Sequence, residues 1–407
     1  MIELREYQKE IASRACEALR RYHVAYLAME VRTGKTLTAL EASRLYGVNR
    51  VLFVTKLKAV PSVRKDYEAL SPAYTLTVIN FESLHKVTEG FDLLIVDEAH
   101  SIGAFPKPSK RAQSVKTLAK DLPVIYLSGT PTPESYSQIF HQLWVSSYTP
   151  WKKYADFYKW ARDYVRITQK RINGYTVNDY SKAVESRIKP CIARFMFTYT
   201  QHQAGFQTSL KEYVMQVGMS NVIRQGITDL NRHKIATVNG VEVLGDMPAK
   251  LLTKLHQLSS GTVIDESGQA HIIDRSKAEF IQRYFSGRKI AVFYVFRSEL
   301  EMLKTVFPNW TDNPEVFQCS KDRVFLGQFR STREGIRLDE ADALIFFNLE
   351  FSYLSFEQAR NRIMSMERKQ DTSLYFLFSD CGIERDVYEA VCAKKDFTLS
   401  YYYGKGK

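Results

Sequence analysis

Short apolar runs, each bounded by turn residues, recur through the first 145 positions of the chain. They are nearly continuous and rich in β-branched residues, which is typical of strands buried on both faces of a sheet. A helical pattern spans 36–47, where leucines and Glu41 share one side and Gly47 ends the run. Because such patterns alternate, we predict a parallel α/β sheet with strands at 23–29, 51–55, 74–79, 91–97 and 123–128.

The alternation stops between about 146 and 260. Aromatic and basic residues at 151–167 predict a helix, and 209–234 predicts an interrupted one. Asn-Gly pairs within 170–177 and 236–243 predict two β-hairpins. We interpret 146–265 as an accessory, mainly helical insertion. Its cations and aromatic rings either contact DNA or form a small core with a solvated face, and the sequence favours neither.

Apolar runs return in the last third of the chain. They lie at 289–296, 323–329, 343–348 and 373–378, and a final helix is predicted from about Ile383. This pattern predicts a second parallel α/β domain. The predicted fold class is therefore α/β, with one parallel-sheet domain at 1–145, another at 266–407, and the insertion between them.

The charge of the chain indicates the chemistry of a partner. The 407 residues include 57 Lys and Arg against 45 Asp and Glu, which gives a net charge of +12. This excess favours a polyanion, most simply nucleic acid. Five cysteines without metal-binding spacing argue against a metal framework or disulfides and fit a reducing compartment, for which we expect the cytoplasm. No apolar run approaches the ~20 residues that cross a bilayer, so we expect no membrane partner.

The segment "AMEVRTGKT" (28–36) ends in the Gly-Lys-Thr of a phosphate-binding loop. The usual pattern begins with a glycine where this chain has Met29, and it does not place an arginine at Arg32. The context nevertheless fits, because a predicted strand precedes the loop and a helix begins near Thr36. Backbone N–H groups near Thr33 and Gly34 would face the β- and γ-phosphates of a nucleotide. Lys35 would contact those phosphates, and Thr36 would ligate Mg²⁺.

Two acids follow directly after a predicted buried strand in "LLIVDEAH" (93–100). Asp97, at the strand end, would hold Mg²⁺ partly through water. Glu98 would orient and deprotonate an attacking water molecule. A further strand ends in "LSGTPTP" (127–133), which offers hydroxyl groups in a turn stiffened by prolines.

Taken together, the segments resemble superfamily 2 helicases. "LREYQKE", "RTGKT", "DEAH", "SGTPTP" and "QARNR" occur in the order of that superfamily, and "VINFESL" with "GTPTPESYSQIFHQLW" is similar to its Swi/Snf-type branch. The resemblance implies two RecA-like lobes and a DEAH-type motor. At this length the chain looks like a minimal motor, similar to those encoded by bacteriophages or small mobile elements. The resemblance implies the cytoplasm of a bacterium or infected host cell.

The same resemblance assigns roles to residues outside the phosphate loop and the acidic pair. Gln8, with Arg5 nearby, would bind adenine, and backbone at Gly335 would approach the nucleotide. Gln358 and Arg362, four positions apart on a predicted helix, would face the nucleotide from the second lobe. The arginine that neutralises the γ-phosphoryl group would be Arg362 or Arg368, since Ser365 stands where the family usually repeats an arginine. DNA phosphates would be contacted by Thr55, Lys56, Asn80, Ser331 and Thr332.

The resemblance thus implies an enzyme that hydrolyses ATP with Mg²⁺ at the interface of two lobes and moves along DNA. Duplex DNA is the favoured partner, and single-stranded DNA remains possible. Three alternatives stay open. The motor could separate strands as a helicase, it could act on RNA, or it could be a nucleic-acid-binding scaffold that has lost catalysis, as the unusual Met29, Arg32 and Ser365 would suggest.

Overall fold

The chain folds into two compact units. A computed structural model describes residues 3–88, 90–172, 175–206, 210–329, 336–364 and 371–393. Contacts within it separate Met1–Phe206, here called unit 1, from Gln207–Lys407, here called unit 2. Among the described residues, each unit contains a sheet of six parallel strands. The predicted pair of parallel α/β lobes is therefore confirmed.

In unit 1 the strands follow the order β3-β2-β4-β5-β1-β8. The central strands are buried along their length, as the continuous apolar runs predicted. The elements of unit 1 are α1 (Glu6–Tyr22), β1 (Val24–Met29), α2 (Lys35–Tyr46), β2 (Arg50–Thr55), α3 (Val60–Leu70), β3 (Thr75–Asn80), β4 (Leu93–Val96), α4 (Lys110–Ala119), β5 (Val124–Leu127), α5 (Gln138–Trp144), α6 (Phe157–Tyr164), β6 (Thr168–Ile172), β7 (Tyr175–Asp179), α7 (Glu185–Ile192) and β8 (Met196–Tyr199).

In unit 2 the order is β15-β16-β14-β17-β18-β9. The four strands predicted for this part of the chain are β14, β16, β17 and β18. The elements of unit 2 are β9 (Leu210–Val217), α8 (Asn221–His233), β10 (Ile235–Val238), β11 (Val241–Leu244), α9 (Pro248–Ser259), β12 (Thr262–Ile264), β13 (Ala270–Ile272), α10 (Ser276–Tyr284), β14 (Ile290–Tyr294), α11 (Arg297–Val306), β15 (Trp310–Thr311), α12 (Pro314–Cys319), β16 (Val324–Gln328), β17 (Ala343–Phe346), α13 (Tyr353–Arg360), β18 (Thr372–Ser379) and α14 (Glu384–Cys392).

The middle of the chain contributes to both units. Both hairpins predicted from Asn-Gly pairs are confirmed, as β6–β7 and β10–β11. In the second, Asn239 and Gly240 have φ values of 48° and 80°, the left-handed backbone that a two-residue hairpin turn requires. The interrupted helix predicted at 209–234 is wrong in its first part. Residues 210–217 form β9, because pairing along the whole of β18 supplies long-range hydrogen bonds that local helical spacing does not reveal.

β8 and β9 both arise from the region 146–265, and they join the sheets of unit 1 and unit 2 respectively. Within the described parts of the chain, no helix combines the length and apolar character needed to cross a bilayer. In each sheet the parallel strands end at one common edge. That carboxyl edge is where α/β proteins usually bind ligands, and in unit 1 the predicted phosphate loop, acidic pair and "SGT" turn all follow strands that end there.

Candidate active site

The loop between β1 and α2 turns through two residues with left-handed backbone. Arg32 has φ 64° and Gly34 has φ 81°, and Gly34 caps the helix that begins at Lys35. Met29, at the position of the usual first glycine, is fully buried as the last residue of β1. The strand therefore extends to that position, and the tight part of the loop begins later. Thr33, between the two left-handed residues, is also buried, and its hydroxyl donates to the carbonyl oxygen of Glu30 at 2.7 Å.

The start of α1 holds this loop in place. The Tyr7 hydroxyl donates to the carbonyl oxygen of Thr33 at 3.0 Å, and Nε2 of Gln8 lies 3.5 Å from that of Gly34. Gln8 Oε1 accepts from the backbone N–H of Arg5 at 2.9 Å. A Cβ at Gly34 would lie 2.0 Å from Gln8 Nε2, so any other residue would displace this carboxamide, and the φ of 81° favours glycine as well. The structure thus places Gln8 and Arg5 beside the loop, while their contact with adenine stays a prediction.

Lys35 lies between the loop and the ends of two strands. Its Nζ donates to the carbonyl oxygen of Glu30 at 3.2 Å, and a Cβ on Gly129 of the "SGT" turn would lie 3.6 Å from it. Its positive charge also favours the ionised form of Asp97. Thr36 follows in the first turn of α2, where it is half-buried. The structure therefore brings Lys35 close to Asp97, as predicted from the sequence.

Asp97 is held by hydrogen bonds at both carboxylate oxygens. Oδ2 accepts from the Thr55 hydroxyl at 2.7 Å, and Oδ1 accepts from the backbone N–H of Glu98 at 2.9 Å. Burial, followed by the negative charge of Glu98, raises the pKa of Asp97 to about 6. The Thr55 hydrogen bond and the charge of Lys35 act in the opposite direction. An additional cation at this site would hold Asp97 ionised.

Thr55, for which a DNA contact is predicted, has a protein partner in this structure. Its side chain is fully buried at the end of β2 and donates to Asp97, and its DNA contact stays a prediction. Lys56 and Asn80 end neighbouring strands at the same edge and are half-buried, and the Asn80 amide donates to Glu82 at 3.1 Å. Their predicted DNA contacts stay predictions. Thr55 is the last residue of the apolar strand β2, but its link to Asp97 depends on β2 lying beside β4, which the sequence does not show.

Glu98 is anchored to the "SGT" turn through a histidine to which the sequence assigned no role. Glu98 has φ 49°, and its Oε2 lies 3.3 Å from Nδ1 of His100. The same Nδ1 lies 3.0 Å from the hydroxyl of Ser128, which also accepts from the backbone N–H of Thr130 at 3.1 Å. His100 and Ser128 are buried. The ends of β4 and β5 are thereby linked, and the carboxylate of Glu98 has a fixed neighbour on one side.

Unit 2 contains some of the other predicted residues. Gln358 is buried within α13, whereas Arg362 follows the end of that helix at Arg360, so the prediction that both lie on one helix is wrong. Asn361 caps the helix, and the guanidinium Nε of Arg362 still donates to the carbonyl oxygen of Gln358 at 3.1 Å. Four further candidates lie outside the described residues: Ser331, Thr332, Gly335 and Arg368.

The residues of unit 1 fit a nucleotide phosphate with Mg²⁺. A helix N-terminus preceded by left-handed residues presents backbone N–H groups to an anion, and Lys35 adds a positive charge. The hydroxyl of Thr36 and the carboxylate of Asp97 are hard oxygen donors of the kind that Mg²⁺ prefers. Among the described residues, no group of three or more His, Cys, Asp and Glu could hold a metal on its own. Any Mg²⁺ bound here would therefore share its coordination with phosphate oxygens and water.

Comparisons with known proteins gave one family match and likenesses to solved structures. The family model of the SNF2-related domain matches residues 12–261. Two similar solved structures come from Sulfolobus solfataricus. The SWI2/SNF2 ATPase core in complex with dsDNA is 15% identical, with 96% of this chain and 91% of that chain covered and a TM-score of 0.44. The SWI2/SNF2 ATPase core domain is 14% identical, with 97% and 89% covered and the same TM-score of 0.44. No curated protein matches the sequence.

Proposed function

The chain belongs to the SNF2-related domain family, and from this premise we propose that it is a DNA-stimulated ATPase that uses ATP hydrolysis to move along duplex DNA. The observation that carries the proposal is the meeting of Lys35, Asp97 and Glu98 at the carboxyl edge of one sheet. The net charge of +12 supports a polyanionic track.

In this proposal the phosphate loop binds the triphosphate through backbone N–H groups and the ammonium group of Lys35. Mg²⁺, when bound by Thr36 and Asp97, would neutralise charge on the phosphate oxygens. Thr55 keeps the carboxylate of Asp97 oriented toward that position through the 2.7 Å hydrogen bond. Gln8 and Tyr7 hold the loop in its left-handed conformation, so that its N–H groups are oriented before ATP arrives.

Glu98 is the proposed general base. A carboxylate next to the γ-phosphate accepts a proton from water as the oxygen attacks phosphorus. His100 lies 3.3 Å from one carboxylate oxygen and is itself fixed by Ser128, so the carboxylate has little freedom to rotate. Restricting that rotation keeps the basic oxygen in place for the water, which is how positioning lowers the barrier.

An arginine of unit 2 would complete the site in the nucleotide-bound state. We retain Arg362 and Arg368 as the two candidates for neutralising the charge that develops on the γ-phosphoryl group. Hydrolysis would then remove the group that both units bind, and repeated closing and opening would move the protein along the DNA backbone. Contacts to phosphates alone would make the movement independent of sequence and sensitive to salt.

ATPase assays across nucleic acids test the proposal. We expect the rate of ATP hydrolysis to rise at least about tenfold with duplex DNA, less with single-stranded DNA, and little with RNA. Lys35→Ala should lower the rate by two orders of magnitude or more while DNA binding is retained, since the lost charge faces ATP. Wild-type turnover in that variant would contradict the assigned site. Absence of hydrolysis in the wild-type protein with every nucleic acid would favour the scaffold alternative, and stimulation by RNA alone would favour an RNA helicase.

A further inference from the structure

The β6–β7 hairpin of unit 1 has no role in the site described above. Its described side chains are mostly exposed on both faces of the ribbon, including Gln169, Lys170, Thr176 and Asn178. Tyr175, next to the turn, is 77% exposed. An isolated two-stranded hairpin is at best marginally stable in water, so a ribbon without a covering layer must be fixed at its base.

The base of the ribbon is fixed to the chain that follows the "SGTPTP" turn. The hydroxyl of Ser135 donates to the carbonyl oxygen of Ser181 at 2.6 Å, and that of Ser137 donates to the carbonyl oxygen of Tyr180 at 2.6 Å. Both serines are buried. An antiparallel backbone bridge between Val165 and Ala183 continues the pairing of the two strands at the base. The hairpin is therefore held at its base. The serines that hold it follow, a few positions later in the chain, the turn whose Ser128 contacts His100.

The two faces of the ribbon differ in chemistry. Residues directly opposite in an antiparallel pair share a face, so the register assigns Gln169, Arg171, Thr176 and Asn178 to one face. Every one of these has a polar side chain. The other face carries Thr168 and Asp179 near the base, Lys170 and Val177 in the middle, and the ring of Tyr175 toward the turn. Lys170 lies 3.5 Å from Asp179, so the charged groups of this face lie near the base, and its end at Tyr175 is suited to a planar contact.

Positive charge surrounds the base of the ribbon. The stretch 165–189 contains six Lys and Arg against two Asp and Glu. An open cavity of about 690 Å³ lies beneath the ribbon and includes Arg166, Lys182 and Lys189 in its lining. Glu185 also lines it and pairs with Lys189, so Arg166 and Lys182 supply the surplus charge. A cavity of this charge fits a phosphodiester backbone.

We propose that the β6–β7 hairpin is a DNA pin that meets the junction between duplex and unpaired strand, with the ring of Tyr175 stacked on the first unpaired base. Cations at the base of the ribbon contact the backbone of the same strand. An exposed aromatic ring at the turn and cations at the base, spaced along one ribbon, form the combination that binds successive unpaired nucleotides, because every base offers a face for stacking. The proposal rests on the proposed function, since it takes DNA as the track, and it adds contact with an unpaired strand.

Equilibrium binding without ATP tests the pin. The probes are a forked DNA and a blunt duplex with the same base pairs, with 2-aminopurine at the first unpaired position of the fork. We expect the wild-type protein to prefer the fork and to quench the 2-aminopurine fluorescence. Tyr175→Ala should bind the fork roughly tenfold more weakly and lose the quenching, because stacking on a base is removed. Tyr175→Phe keeps the ring and should retain both properties.

A second pair of substitutions separates stacking from charge. Arg166→Gln with Lys182→Gln should weaken binding to the fork and the duplex alike, and it should reduce the slope of log K against log salt by about two. Because Tyr175 is largely exposed, its alanine variant should unfold at the wild-type temperature, which checks that the fold is intact.

Two results would overturn the pin. One is wild-type fork affinity and quenching in Tyr175→Ala, and the other is an equal loss in Tyr175→Phe. If ATP hydrolysis is nevertheless stimulated by DNA, the pin alone fails and the proposed function stands. If the wild-type protein binds neither DNA form and its ATPase does not respond to DNA, both fail.

Discussion

The hydrogen bond from Thr55 to Asp97 can be removed with almost no change of shape. Valine has the size and branching of threonine but lacks the hydroxyl, and Thr55 is fully buried, so Thr55→Val should leave packing in place. The lost contact is a 2.7 Å hydrogen bond to a carboxylate. Hydrogen bonds to charged groups contribute about 1.5–3 kcal/mol, mostly to the ionised form of Asp97.

This energy sets the expected effect. A free-energy difference of about 1.36 kcal/mol corresponds to a tenfold change in an equilibrium constant. The ratio of ionised to protonated Asp97 at a given pH should therefore fall about 10- to 100-fold. The pKa of Asp97 is already raised to about 6, so at neutral pH the variant would be substantially protonated where the wild-type protein is ionised. A protonated carboxyl group is a poor Mg²⁺ ligand, and hydrolysis should fall accordingly.

The assay is DNA-stimulated ATP hydrolysis measured across pH and Mg²⁺ concentration. For Thr55→Val we expect the acidic limb of the pH profile to move upward by about one to two pH units, with activity largely recovered at pH 9 or at high Mg²⁺. Thr55→Ser retains the hydroxyl and serves as the matched control, with a profile close to wild type.

An unchanged pH profile and Mg²⁺ requirement in Thr55→Val would refute the positioning role. If DNA affinity fell instead, with the ATPase profile unaltered, the contact with a DNA phosphate implied by the family resemblance would be the better explanation.

Three further predictions concern the same site. Glu98→Gln should keep ATP bound but hydrolyse it at least about 100-fold more slowly, because the general base is lost, and wild-type speed in single-turnover assays would remove that role. Gly34→Ala should lower both the unfolding free energy, by about 1–2 kcal/mol, and ATP affinity, since its φ is 81° and a Cβ would meet Gln8. Gly47→Ala is the matched control, because Gly47 has φ 84° and open space around it. It should lower the unfolding free energy by a similar amount and leave ATP affinity intact. Equal ATP affinities in the two variants would contradict the argument. Because the pKa of Asp97 is raised, the protonated carboxyl group is favoured in the folded state. This contribution to the unfolding free energy is complete below the ordinary pKa of 3.8 and is lost as pH rises through about 6. Asp97→Asn should therefore exceed the wild type in urea unfolding free energy at pH 7–8 but not near pH 4, and a difference that does not vary with pH would contradict the assigned pKa.

Some features of this protein follow from the sequence by itself. Continuous apolar runs such as 51–55 and 123–128 predict buried parallel strands, because only burial on both faces of a sheet tolerates an unbroken apolar run. The order of the segments around Lys35 and Asp97 predicts a common site, because parallel strands end at one edge. Asn-Gly pairs predict hairpins because glycine and asparagine adopt left-handed backbone at low cost. All of these predictions depend on the chemistry of neighbouring residues and on the spacing of apolar residues along the chain.

Tertiary structure decided the rest. β9 is a strand because β18 pairs with it, and a partner more than 150 positions away leaves no local trace in a sequence with polar and apolar residues mixed. Thr55 donates a hydrogen bond to Asp97 because β2 lies beside β4, an adjacency that chain order does not specify. The link from Glu98 through His100 to Ser128 likewise requires neighbouring strand ends. Side-chain partners of this kind are set by which strands lie next to each other, and long-range packing chooses that order.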